Sequence, residues 1–153
     1  TIKYFELGEF LESRTAKEKK IDNFPAWQHV QNLQELTEKL LDPLREAYGK
    51  PINVTSGFRC KRLNDAIKGS KYSAHLLGYA ADLVPADEDI DGFIKFALGW
   101  LRENNVGFDQ AVDETDKMGN HWLHLAIYNL EGKQRKQIFE LVKQRYAYAL
   151  VRT

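Results

Sequence analysis

The sequence predicts one α+β domain, a small antiparallel sheet with helices packed on it. Three observations point there. Two stretches, about residues 25–48 and 87–105, repeat apolar side chains every three or four positions. Short β-branched or apolar runs lie between and after them, and two of these are spaced as a hairpin. The 153 residues contain no repeat, low-complexity segment or linker, and they suffice for one real core but not comfortably for two.

Near the N-terminus, Tyr4, Phe5, Leu7, Phe10 and Leu11 are apolar anchors interrupted by Gly8, and residues 13–20 read as an exposed loop or short helix. The first long helix shows one face of Val30, Leu33, Leu36, Leu40, Leu41, Leu44 and Ala47, with Pro25 at its start and Gly49 and Pro51 at its end. Residues 51–56 alternate as a strand and Gly57 ends it. Residues 61–68 suit a short helix with Leu63, Ala66 and Ile67 inward and Gly69 as its stop. A strand over about 79–84 ends at Pro85. The second long helix turns Ile90, Phe93, Ile94, Ala97, Leu98 and Leu101 inward, and Asp87 and Asp89 suit its N-terminal dipole. Residues 108–114 and 121–128 form the hairpin, with Gly119-Asn120 in its turn. Beyond 131 the pattern is open: Ile138, Leu141, Val142 and Arg145 suit a helix, while residues 146–151 suit an edge strand.

Composition narrows the function classes. Apolar residues at 43% and charged residues at 29% are ordinary for a globular chain. Lys and Arg balance Asp and Glu, which argues against binding driven by neutralising nucleic-acid phosphates. The single cysteine, Cys60, excludes an intramolecular disulfide and a cysteine-based zinc site, and suits synthesis in a reducing compartment. No apolar run approaches the ~18 residues of a membrane span, and the first residues do not read as a signal peptide.

The chemistry gathers at residues 73–83, Ser-Ala-His-Leu-Leu-Gly-Tyr-Ala-Ala-Asp-Leu. Asp82 lies inside an apolar run. A carboxylate buried there costs several kcal/mol, or shifts its pKa, unless donors or a cation meet it. A metal ion would meet it. On one helix His75 and Asp82 would stand roughly 10 Å apart along the axis, too far to share an ion. A turn at Gly78 instead lets His75 fold back over the strand carrying Asp82.

A third ligand is expected from the later strand. His124 shares a face with Trp122, while His121 points the other way beside the turn, so His124 is the better choice. Two histidines and a carboxylate leave zinc an open fourth position, the catalytic pattern. The plainer alternative is two satisfied core histidines and an aspartate that caps a turn. Glu114, across the hairpin, is a candidate base for a bound water, or else an exposed acid beside Asp113 and Asp116. Arg59, after the strand ending at Ser56, can clamp a carboxylate or form a surface ion pair. Ser73 can donate to a substrate or simply serve a turn. Trp122 and Tyr72 can wall a cleft or fill a core. His29 reads as a surface histidine.

Taken together, several segments resemble the zinc D-Ala-D-Ala metallopeptidases: carboxypeptidases, a vancomycin-resistance dipeptidase and phage endolysin peptidases, whose metal site the hedgehog signalling domain shares. The resemblance rests on Ser56-Gly57-Phe58-Arg59, Leu63-Asn64, Ser73-Ala74-His75 through Asp82-Leu83, Gly107-Phe108-Asp109-Gln110 with Glu114, and Trp122-Leu123-His124-Leu125. Residues 4–10 and 21–25 are similar to the phage-type branch. The match spans about residues 4–128, so residues 129–153 form a C-terminal extension of one 1–153 domain. It implies a hedgehog-like or peptidase-like fold with the zinc site at the sheet. It further implies one zinc ion held by His75, Asp82 and His124, substrate contacts from Arg59, Ser73 and Trp122, and Glu114 as the general base that passes a proton to the leaving amine.

The implied activity is hydrolysis of peptidoglycan stem peptides, as a carboxypeptidase or an endopeptidase. The expected partner is that peptide, with no nucleic acid, no membrane span and a monomeric chain. The protein would be made in the cytoplasm and act on the cell wall if exported or released. In several branches an acid stands three residues before the last histidine ligand; here that position is His121, so either Glu114 serves, as the phage-type and hedgehog-like pattern implies, or catalysis is weak. Two alternatives remain: a non-catalytic cell-wall-binding or structural module that retains the fold, and a structural domain without metal.

Overall fold

The computed structural model describes residues 2–142 and 147–152, with residues 141–142 and 147–152 described by their backbone alone. Six strands form one sheet: β1 (Ile52–Ser56), β2 (Ala80–Pro85), β3 (Gln110–Thr115), β4 (His121–Ala126), β5 (Gln137–Val142) and β6 (Ala147–Arg152). Their spatial order is β1-β2-β4-β3-β5-β6. The sheet is antiparallel as expected except at β3 and β5, which pair in parallel. The chain leaves β4, skips over β3 and returns beside it, a long-range choice with no local signature.

Period-two alternation sorts the sheet into two faces. Ala81, Leu83, Ala111, Leu123, Leu125 and Ile138 point to the helical side and join its core. The long N-terminal helix is α2 (Trp27–Leu36) and α3 (Asp42–Tyr48), joined by a π-helical turn at Thr37–Leu41. Pro43 has no N–H for the helical ladder, and the chain passes it with a wide turn in which Asp42 N–H bonds the Thr37 carbonyl. Leu33, Leu36, Leu40, Leu41 and Leu44 are fully buried as predicted. Ala47, expected on the same face, is exposed. The π turn inserts a residue and so rotates the helical face of α3 relative to that of α2.

The second long helix, α5 (Ile90–Glu103), buries Phe93, Ile94, Ala97 and Leu101. It starts later than the acids at 87 and 89 suggested, because Asp89 is its cap and accepts from Gly92 N–H at 3.1 Å. Residues 14–18 form the short helix α1, capped by Ser13. Helix α4 spans Lys61–Ala66 and buries Leu63; Ile67, expected inward, is 40% exposed. The helix stops one residue before Ile67, so the helical face no longer dictates its direction. His29 is half-buried rather than on the surface. It stacks on Phe58 at 4.7 Å between centroids, and its Nδ1 accepts from Ala26 N–H.

In the tail, residues 137–142 are strand, not helix; parallel pairing of Ile138 with Ala111 puts Ile138 into the core. The edge strand expected over 146–151 is β6 at the sheet margin. The suggestions at Arg145 and Tyr146 fall outside the described residues. Among the described residues no helix is long and apolar enough to cross a membrane.

Candidate metal centre and cleft

The face of the sheet turned away from the helices carries the site. In register, Asp82 of β2 stands opposite His124 of β4 on one side and Ser56 of β1 on the other. His124 faces Val112 of β3, and Trp122 faces Glu114. Alternation therefore places Asp82, His124, Trp122 and Glu114 on one face. His121 and Asp113 take the other, where His121 Nε2 meets Asp113 Oδ1 at 2.5 Å.

His75 reaches this face from outside the sheet. It lies on a 3-10 turn, Ala74–Leu77, that begins where Ser73 Oγ accepts His75 N–H at 3.2 Å. Gly78 ends the turn at φ +76°, a left-handed conformation that glycine adopts freely. The His75 ring is aimed by its Nδ1–H, which donates to the Gly57 carbonyl at 2.6 Å. A Cβ on Gly57 would lie 2.5 Å from the Phe10 carbonyl oxygen, so this close passage needs glycine. With Nδ1 donating, His75 Nε2 presents a lone pair toward Asp82 Oδ1 at 3.3 Å. His124 Nδ1 lies 3.1 Å from the same oxygen.

Two lone pairs facing each other across 3.3 Å in a buried site repel unless a proton or cation comes between them. The three ligand atoms lie within 4.8 Å of one another. Two imidazole nitrogens and one carboxylate oxygen form a donor set that fits zinc with an open position. Electrostatics agree. Burial opposes the charge of Asp82, but the two histidines outweigh it and hold its carboxyl well below the usual range. Burial pushes His75 down, toward the neutral ligand form. Burial also opposes the charge of His124, yet Asp82 outweighs it and raises its pKa. A cation at the cluster would compete with the proton that Asp82 favours on His124.

A cleft of about 600 Å³ opens over this cluster. His75, Asp82, His124, Glu114, Arg59, Ser73 and Trp122 all line it. Burial raises the Glu114 pKa. Trp122 Nε1 is buried and has no hydrogen-bond partner among the described residues. Tyr72 lines the cleft at its rim with 71% of its surface exposed, not in a core.

Arg59 is a buried strut, not a surface ion pair. Its Nε donates to Ser56 Oγ at 3.2 Å, its Nη1 to Asn64 Oδ1 at 2.9 Å, and its Nη2 lies 3.7 Å from Asp82 Oδ2. Burial lowers its pKa against the opposing pull of Asp82 and Glu114.

Residue-level reading missed a second charged pair in the cleft. Asp109, 2% exposed, receives a two-pronged bond from Arg135, Nε to Oδ1 and Nη2 to Oδ2, both at 2.8 Å. An acid in an apolar run is the signal that marks Asp82, and Asp109 amid Phe108, Ala111 and Val112 carries the same signal. Its partner, 26 residues on, has no local signature.

The model of the Peptidase M15 family matches residues 3–125, most of the chain. No curated protein matches it. The match contains every member of the His75, Asp82 and His124 cluster, which could hold the one metal ion this chemistry needs. The chain belongs to the M15 family, the zinc D-Ala-D-Ala metallopeptidases.

Proposed function

We propose that the protein hydrolyses peptidoglycan stem peptides, as a D-Ala-D-Ala carboxypeptidase or as an endopeptidase. The observation that carries this reading is the convergence of His75, Asp82 and His124 with Glu114 on one sheet face, inside one cleft. The first three would hold zinc. When bound, zinc lowers the pKa of a water to about 7 and polarises a carbonyl.

The chain's own groups do the rest. Glu114 takes the proton of the attacking water and delivers it to the amine as the C–N bond breaks. Burial raises its pKa, which makes the carboxylate a better holder of that proton. Ser73 Oγ uses a lone pair for His75 N–H and so keeps its own O–H to donate to a substrate oxygen. Arg59 Nη2 lies 3.7 Å from Asp82 Oδ2, longer than a hydrogen bond, and it orients the peptide. Trp122 walls the cleft.

The test is a mass spectrum of soluble products after zinc-loaded protein meets purified peptidoglycan, beside a chelator-treated control. Free D-alanine that disappears with chelator identifies a carboxypeptidase. Larger peptides identify an endopeptidase. No metal-dependent product from protein with confirmed zinc overturns the reading and favours a non-catalytic cell-wall module.

A further inference from the structure

Arg135 lies outside the residues that match the family, yet it lines the same cleft. It belongs to the loop between β4 and β5, and that loop is tied down. Arg135 N–H and Nε both donate to Asp109 Oδ1, at 3.0 and 2.8 Å. Lys136 and Gln137 N–H bond the carbonyls of Phe108 and Asp109 at 3.1 and 2.9 Å. Asn129, which also lines the cleft, folds the loop tip by accepting from Glu131 and Lys133 N–H at 2.9 Å each. The guanidinium is thus held in one orientation by a buried carboxylate.

Its capacity to donate is not used up. The bonds to Asp109 engage Nε and Nη2, and Nη1 makes no hydrogen bond among the described residues. The side chain stays 42% exposed, against 12% for Arg59. The two guanidiniums stand on different strands. Arg59 Nη2 lies 3.7 Å from Asp82 of β2, whereas Arg135 sits on Asp109 at the start of β3, two strands across the sheet, roughly 10 Å at backbone level. The His75, Asp82 and His124 cluster adjoins Arg59, and Arg135 stands on the β3 side of it.

The charge of the cleft points the same way. Arg59, Lys68 and Arg135 face Asp82, Asp109 and Glu114, so a bound divalent ion leaves a positive excess.

We propose that Arg135 is a specificity-determining residue that binds a carboxylate of the peptide, on the β3 side of the cleft. The carboxylate belongs to an acidic side chain or to the peptide's C-terminus. The proposal takes from the preceding section only that a peptide occupies this cleft.

The test measures binding, so it does not depend on turnover. Zinc-loaded Glu114→Gln protein is titrated by calorimetry with two matched pairs of short peptides. One pair differs by a side-chain acid against its amide, the other by a free C-terminus against its carboxamide. One acid is expected to bind about 10-fold or more tightly than its amide, and the responsive pair identifies the source. Adding Arg135→Gln abolishes that preference and leaves the affinity for the amide unchanged. Arg135→Lys, which keeps the charge and serves if the glutamine variant is unstable, retains part of it.

Equal weakening of acid and amide makes Arg135 a loop strut and overturns the proposal. So does an acid preference that survives both replacements, or the absence of binding by either acid at millimolar concentration. Product release from peptidoglycan is scored separately and stands or falls without this result.

Discussion

The two faces of the β3–β4 hairpin carry the same chemistry in different settings. On one, His121 pairs with Asp113, with side chains 23% and 26% exposed. On the other, His124 pairs with Asp82, at 14% and 11%, with the His75 ring 5.1 Å away. Three residues along one strand separate a partly exposed histidine–aspartate pair from a candidate metal centre. The difference is burial plus a second histidine delivered by another segment. A histidine beside an aspartate is common; two nitrogens converging on one buried carboxylate oxygen are not.

Replacements can break that contrast. The largest effect is expected from Asp82→Ala, which removes the shared oxygen and should abolish stoichiometric zinc binding at micromolar metal, measured by equilibrium dialysis. The matching change on the other face, His121→Gln, should leave zinc at one per chain. Next, Glu114→Gln should retain zinc and lower kcat/KM roughly 10²–10⁴-fold, the range of a lost general base. Zinc loss in that variant would mean that Glu114 supports the ligands instead.

Protonation sharpens the same contrast. Glu114 must be ionised to act as a base, and burial has raised its pKa. The acid limb of kcat/KM should therefore fall at a pH above the ~4.3 of a free glutamate. The linkage has the matching sign: a raised carboxyl pKa costs stability above its folded value, and the cost vanishes below the unfolded one. The metal-free Glu114→Gln protein should accordingly be the more stable at about pH 7 and equal to the parent near pH 3, by urea denaturation. In the core, Leu40→Ala should cost about 2–5 kcal/mol, because Leu40 is fully buried. The smallest effect is expected from His121→Gln on stability, within about 1 kcal/mol for a partly exposed pair.

Part of this was legible because it is local. Helical spacing located the two long helices, and alternation separated His124 from His121. An acid in an apolar run marked Asp82, and Gly78 marked the turn that returns His75 to it. Where local pattern met a long-range term, it failed. Ala47 lost its face to the π turn around Pro43, and residues 137–142 became strand because β3 offered an unpaired edge.

The order of residues by itself therefore determined which side chains share a strand face and which carboxylate cannot be buried alone. Both come from backbone periodicity and the cost of desolvating charge. Only the tertiary structure decided who their partners are. Gly57 aims His75, Asn64 and Ser56 brace Arg59, and Asp109 holds Arg135 in the cleft. These are contacts between segments distant in the chain or meeting at loops, and no local periodicity of helix or strand encodes them.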